Sequence, residues 1–181
     1  MVNYYMIQQD SEIQKTKKLI MQILEGVHDP EIPVLSITDL GILRQVELEG
    51  SDLGLQSKIR ILITPTYSGC PAMDLIRKQI HFELLAAGYT NAVVESQLAP
   101  AWTTDWISET GKQKLKAFGI APPNPVQQVC QTKFFQQEEA IQCPRCNGYH
   151  TKLISQFGST PCKALYRCLD CGEPFDYFKC H

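Results

Sequence analysis

The sequence predicts an α+β/α/β protein of two parts. A small two-layer α/β domain of order α-β-β-α-β-α spans residues 1–118, and a short β-rich ribbon spans 142–181, with a linker at 119–141 between them. Three observations carry this. Apolar residues switch repeatedly between helical and strand spacing up to Phe118. Three prolines then fall within four residues, at Pro122, Pro123 and Pro125, ahead of a glutamine-rich stretch. Beyond them, six of the eight cysteines crowd the last 39 residues.

The elements follow in order. Ser11 is placed as an N-cap with Gln14 completing a capping box. Ile13, Ile20, Ile23, Leu24 and Val27 then recur at helical spacing, with Gly26 at the exit. Residues 42–49 alternate approximately, and Ile59, Ile61 and Ile63 alternate with Lys58, Arg60 and Leu62, giving two half-buried strands. The Glu49 to Asp52 stretch between them is turn chemistry. Pro71 suits a first helical position. Met73, Ile76, Ile80, Leu84 and Ala87 form an apolar stripe that closes at Gly88. Asn91 to Gln97 reads as a third strand, and about 104–118 as a last helix. From Gly119 the prolines remove backbone donors and restrict their neighbours, so regular structure is expected to stop; Phe134 and Phe135 are candidates to dock that stretch.

At 181 residues, 44% apolar and 20% charged, the chain has the composition of a folded protein. A segment of roughly 110–120 residues can bury its own core, whereas one of about 40 usually needs a metal or disulfides. The net charge of −2 does not favour nucleic acid or an anionic membrane. Residues 1–10 carry neither a basic nor an apolar leader segment, and no apolar run reaches the ~20 residues of a membrane span. Eight cysteines in such a chain point to metal ligands or reactive thiols in a reducing cytoplasm.

Cys143 and Cys146, then Cys168 and Cys171, form two CxxC knuckles separated by 21 residues. A two-residue gap lets one tight turn aim both thiolates at one ion, and two such turns complete a tetrahedron. Gly148 and Gly172 follow the knuckles, where positive φ is often needed. Four thiolates also suit iron–sulfur clusters. Zinc is the expectation, because all four positions are filled and a ~40-residue module folds around such an ion. Cys162 and Cys180, with His150 and His181, are left over, and burial accounts for such thiols. From Cys143 to His181 there are five Lys/Arg and three Asp/Glu, too weak a balance for a phosphate-binding surface.

The segment Thr64 to Pro71 (TPTYSGCP) joins a strand to a helix and sets Cys70 at or near the N-cap. Free N–H groups and the helix dipole there favour a thiolate. Asp29, Glu31 and Asp39, in the loop after the first helix, are hard oxygen ligands if they converge on Cys70; taken singly they are cap and turn residues. His28 is read as structural. Trp102 and Trp106, flanking Asp105, either line a partner surface or pack over the sheet edge.

His28 to Pro33 (HDPEIP), Ser36 to Ile42 (SITDLGI) and Thr64 to Pro71 resemble the small domain shared by SufT and the cytosolic iron–sulfur targeting factors. With Ala99 to Trp106 (APAWTTDW) and a ribbon carrying Phe157 to Cys168 (FGSTPCKALYRC), nearly the whole chain resembles the PaaD/PaaJ-type family of bacterial phenylacetate degradation. The resemblance implies a place beside the multicomponent phenylacetyl-CoA epoxidase, a di-iron oxygenase fed by a flavin and iron–sulfur reductase, outside its catalytic core. It also makes Cys70 the counterpart of the motif cysteine of iron–sulfur maturation domains.

Two roles follow. The first is an accessory maturation factor that helps deliver iron or an iron–sulfur cluster to the oxygenase or its reductase, with Cys70, Asp29, Glu31 or Asp39 holding it transiently. The second is a non-catalytic scaffold role within the oxygenase complex. No phosphate loop, dinucleotide fingerprint or nucleophile–base pair is evident, so catalysis of its own is not expected. Because clusters usually take four cysteines, a homodimer around Cys70 is a corollary of the first role.

Overall fold

Why the chain forms two separate cores is visible in where its apolar strands end up. The computed structural model describes residues 2–49, 55, 57–123 and 141–179. They group into two units, Met1–Pro65 with Gly69–Pro100, and Thr66–Ser68 with Ala101–His181.

In the first unit, α1 (Val2–Glu25) runs through Ser11, which lies inside the helix and not at its cap. A serine in a helix interior costs little, so nothing at Ser11 forces a start there. Ile20 and Leu24 of α1 are fully buried, as is Val27 beyond it. The sheet has the order β1-β2-β3. Strand β1 (Leu43–Glu49) is antiparallel to β2 (Lys58–Ile63), and β3 (Ala92–Ser96) is parallel to it. The parallel pair requires a crossover, supplied by α2 (Ala72–Ala86). Ile59, Ile61 and Ile63 are fully buried on one face of the central strand. On the other face Arg60 donates to Glu47 at 3.1 Å and to Glu95 at 2.7 Å, tying three strands together. Ala87 is exposed at the C-cap and not part of the core stripe. Gly88 takes φ 90°, and the buried residue after it is Tyr89, whose N–H bonds the Leu84 carbonyl at 2.9 Å.

The second unit holds a 3-10 turn at Thr104–Trp106 and then α3 (Glu109–Phe118). The single helix expected over 104–118 is therefore split. Ile107 is extended and buried, and Ser108 caps α3 by accepting the Gly111 N–H at 2.9 Å. Gly119, with φ 94°, turns the chain at once into β4 (Ile120–Ala121). Regular structure thus continues two residues into the stretch read as linker and stops where Pro122 removes the next donor. β4 pairs in parallel with β7 (Pro174–Phe178), which pairs with β6 (Lys163–Cys168), which pairs with β5 (Thr151–Ser155). The sequence places α3 with the first domain; by its packing it groups with the ribbon. Residues 50–52 of the expected turn, together with Cys130, Phe134, Phe135, Cys180 and His181, lie outside the described residues.

Among the described residues, no helix is long and apolar enough to cross a membrane.

Candidate metal centre and the Cys70 turn

The two knuckles are built alike. In the first, the Asn147 N–H bonds the Cys143 carbonyl at 2.9 Å and the Cys143 N–H bonds the Gly148 carbonyl at 2.9 Å. In the second, the Gly172 N–H bonds the Cys168 carbonyl at 3.0 Å and the Cys168 N–H bonds the Glu173 carbonyl at 2.9 Å. Both therefore close the same pair of rings, four and five residues on from the leading cysteine. The closing residue needs a left-handed backbone in each case, which Asn147 (φ 62°) and Gly172 (φ 79°) supply. The positive φ expected at Gly148 is carried by the residue before it, since asparagine tolerates that region. Gly148 instead leaves room for the side chains around it. A Cβ there would run into the Asp170 carboxylate and lie 3.3 Å from Cys146 Sγ.

These turns bring the four thiol sulfurs within 4.8 Å of one another. Cys143 and Cys171 sulfurs lie 3.8 Å apart, and those of Cys146 and Cys168 3.5 Å apart. A tetrahedron with Zn–S near 2.3 Å has sulfurs about 3.8 Å apart, so the cage has the dimensions a zinc ion takes. Cys143 and Cys168 are fully buried and belong to the ribbon core with Ala121, Ile141, Ala164, Phe175 and Tyr177. Cys146 and Cys171 face solvent. Backbone N–H groups of Cys171 and Asp170 hold the Cys168 thiol down to about 7. At Cys146 the Gly148 N–H pulls the same way, but sharing with Cys168, burial and the other two thiols outweigh it and push it up to about 12. Four thiols this close cannot all ionise without a cation among them. His150 Nδ1 lies 3.3 Å from Asp170 Oδ1 beside the second knuckle.

The first unit treats its candidate residues differently. Cys70 is half-buried just ahead of α2, and its carbonyl accepts the Met73 N–H at 3.3 Å. Pro71 is already helical at φ −67°, and Gly69 before Cys70 has φ 82°. Thr64 is buried at the end of β2, and its Oγ1 has no hydrogen-bond partner among the described residues. The sequence marks Thr64 only as part of a polar surround; the orphaned hydroxyl needs coordinates to be seen.

The loop carboxylates face inward on their own backbone. Asp29 Oδ1 accepts the N–H groups of Glu31 and Ile32, each at 2.8 Å. Asp39 Oδ2 accepts the Ser36 N–H at 3.1 Å and the Ser36 hydroxyl at 3.0 Å. His28 Nδ1 donates to the Pro33 carbonyl at 2.7 Å. Around them Ile32, Leu35, Ile37, Leu40 and Ile42 are all buried, so this acidic loop is largely core. Cys70, Asp29, Glu31 and Asp39 do not gather into a cluster of ligand atoms; among the described residues the ribbon cysteines are the group that does. Trp102 is buried and meets Phe178 edge-on at 6.0 Å, so it packs inside the second unit, while Trp106 is half-buried. Cys162 is buried with its sulfur 3.0 Å from Thr160 Oγ1.

A strand–helix–strand crossover domain with a cysteine at its turn, followed by a four-cysteine β-ribbon, defines a class: a small α/β domain joined to a four-thiol metal ribbon. Comparison with known families agrees part by part. Residues 17–95 match the family described as iron–sulfur cluster assembly protein, and residues 127–179 match the PaaD zinc beta ribbon domain. Over 163 residues the chain is 47% identical to a protein of Escherichia coli K12 named as one of the subunits of a "Putative 1,2-phenylacetyl-CoA epoxidase", covering 89% of this chain and 91% of that one. It is 29% identical over 107 residues to an Fe-S protein maturation auxiliary factor of Porphyromonas gingivalis, covering 59% of this chain and 96% of that one. A crystal structure of a DUF59 domain from Bacillus anthracis is 23% identical and superposes with a TM-score of 0.49 over 60% of this chain and 95% of that chain. The chain belongs to the PaaD family.

Proposed function

We propose that this protein is an accessory maturation factor for a phenylacetyl-CoA epoxidase system, assisting delivery of iron or an iron–sulfur cluster to the oxygenase or its reductase. The ribbon holds a structural zinc ion at Cys143, Cys146, Cys168 and Cys171 and performs no chemistry. Cys70 is the thiol offered to the cargo, which is a substrate of the protein and not its resident cofactor. Asp29 and Asp39 already serve their loop, so the cargo's remaining ligands come from a client or from a second chain in a cytoplasmic homodimer. Family membership supports the reading, as do the 47% identical epoxidase relative and the maturation-factor relative.

One observation carries it furthest. Within residues 64–70 a half-buried thiol at a helix start shares its segment with a buried hydroxyl that has no partner among the described residues. A buried polar group is normally satisfied, and an exception calls for a functional or solvent explanation.

The test uses Cys70→Ser and Thr64→Val beside the wild type, with zinc, iron and acid-labile sulfide measured per chain after anaerobic reconstitution. Zinc is expected to stay at about one per chain in all three, the content of one four-cysteine site. Iron should be lost in Cys70→Ser and weakened in Thr64→Val. Thr64→Val should also be more stable by about 1 kcal/mol, because an unsatisfied hydroxyl has gone. A Cys70→Ser protein that still loads iron and supports a fully active oxygenase would sink the maturation role. The scaffold reading would then stand, favoured by Tyr149, Ile154 and Phe157, each more than half exposed on the ribbon. Its signature is a stable complex of fixed stoichiometry, indifferent to Cys70.

A further inference from the structure

Phe118, the last residue of α3, leaves 51% of its surface exposed where two grooves of the second unit meet. The larger, of about 560 Å³, lies between the end of α3 and the first knuckle and is lined by Lys116, Pro144 and Arg145 together with Phe118. The smaller, of about 330 Å³, shares Phe118 and Gly119 and continues onto the ribbon sheet at Lys163, Leu165 and Asp176.

The charge of this surface is lopsided. No carboxylate lines the larger groove among the described residues, while Lys116 and Arg145 both do. Among the described residues Lys116 Nζ reaches the neutral Gln142 Oε1, at 3.2 Å, and no carboxylate. Arg145 is exposed and has no hydrogen bond or ion pair among the described residues. Its five donors, beside an exposed aromatic ring, match the residue types that dominate protein interfaces. The occupant is a protein segment and not nucleic acid, because the ribbon's five basic residues against three acidic ones are far from a phosphate-binding footprint.

We propose that this double groove docks an acidic segment of the client protein, with carboxylates on Arg145 and Lys116 and an apolar side chain against Phe118. The inference rests on the reading of this chain as a factor that meets a client, and it names the surface used.

The experiment measures binding of the full-length, zinc-loaded protein to the purified oxygenase and reductase of the epoxidase by biolayer interferometry. The variants are Lys116→Glu with Arg145→Glu, the milder Lys116→Gln with Arg145→Gln, Phe118→Ser, and Lys152→Gln as a control. Charge reversal is expected to weaken binding by about 30-fold or more, and the glutamine pair and Phe118→Ser by about tenfold each, the scale of central interface residues. Raising salt from about 50 mM to about 300 mM should weaken the wild type steeply and the reversed variant little. Lys152→Gln, exposed on β5 and outside both grooves, should bind as the wild type does. Zinc content and circular dichroism check folding, and the glutamine pair decides if the reversed protein loses its metal. Wild-type binding that is unchanged within about twofold in the charge variants overturns the groove and leaves the accessory role intact, since central interface charges cost far more. A wild type that binds neither component overturns both.

Discussion

The two cysteine sites of this chain solve opposite problems. In the ribbon, four thiols are brought to one point by two copies of the same turn, and the burial of Cys143 and Cys168 makes the metal site continuous with the apolar core. In the α/β unit, one thiol stands at a helix start while Asp29 and Asp39 are engaged by the backbone of their own loop. A site meant to keep its ion closes on itself. The α/β unit gathers no such set of ligand atoms among the described residues, and its core is the apolar group of Ile59, Ile61 and Ile63.

The comparison breaks first, and hardest, on metal removal. Chelation, or Cys143→Ser, should melt β5 to β7, because zinc binding contributes about 10–16 kcal/mol in comparable small modules. The α/β unit should keep its helical dichroism, having an isoleucine core of its own. Cooperative loss of all structure together would show that the two sites are not energetically separate.

A smaller effect tests the likeness of the two knuckles. Asn147→Ala should cost about 1–2 kcal/mol and loosen zinc, since alanine resists the left-handed backbone that asparagine accepts. Asn147→Gly should be close to neutral, as Gly172 already shows at the equivalent place. Urea unfolding with zinc-release kinetics reads both, and an alanine variant as tight as the glycine one would break the proposed equivalence.

The smallest effect belongs to the α/β unit. The Arg60 guanidinium beside Glu95 holds its carboxyl below the ordinary 4.5. A depressed carboxylate contributes stability that is present above its unfolded value and lost as pH falls through the folded one. Thermal midpoints should therefore drop slightly below pH 4.5, less so in Glu95→Gln and less so in high salt, since both partners are solvent-exposed. A larger acid sensitivity in the variant than in the wild type would reverse the sign and discard the explanation.

Legibility in the sequence follows the range of each interaction. The CxxC spacings, the Ile59 to Ile63 alternation and the Gly88 exit are local, and they can be read directly. Ser11 reads as a cap because a capping box is also a permissible helix interior, and only the extent of α1 distinguishes them. Gly148 attracts a conformation that Asn147 adopts, because the ring that sets it is closed by a backbone bond back to Cys143. The carboxylates of Asp29 and Asp39 look the same in sequence whether they face an ion or a backbone N–H. β4 is invisible there because two residues have no period, and the partner of Ile120 is Asp176, more than fifty positions away.

That short strand has a consequence for how the ribbon can exist apart from the rest. β4 occupies the outer edge of β7, and Ala121 fills part of the core beneath it. A fragment begun at Gln142 would carry all four zinc ligands yet present β7 as a bare edge above a missing wall, an invitation to pair with another copy of itself. The residues that protect the zinc module from self-association are therefore supplied by sequence upstream of the cysteines.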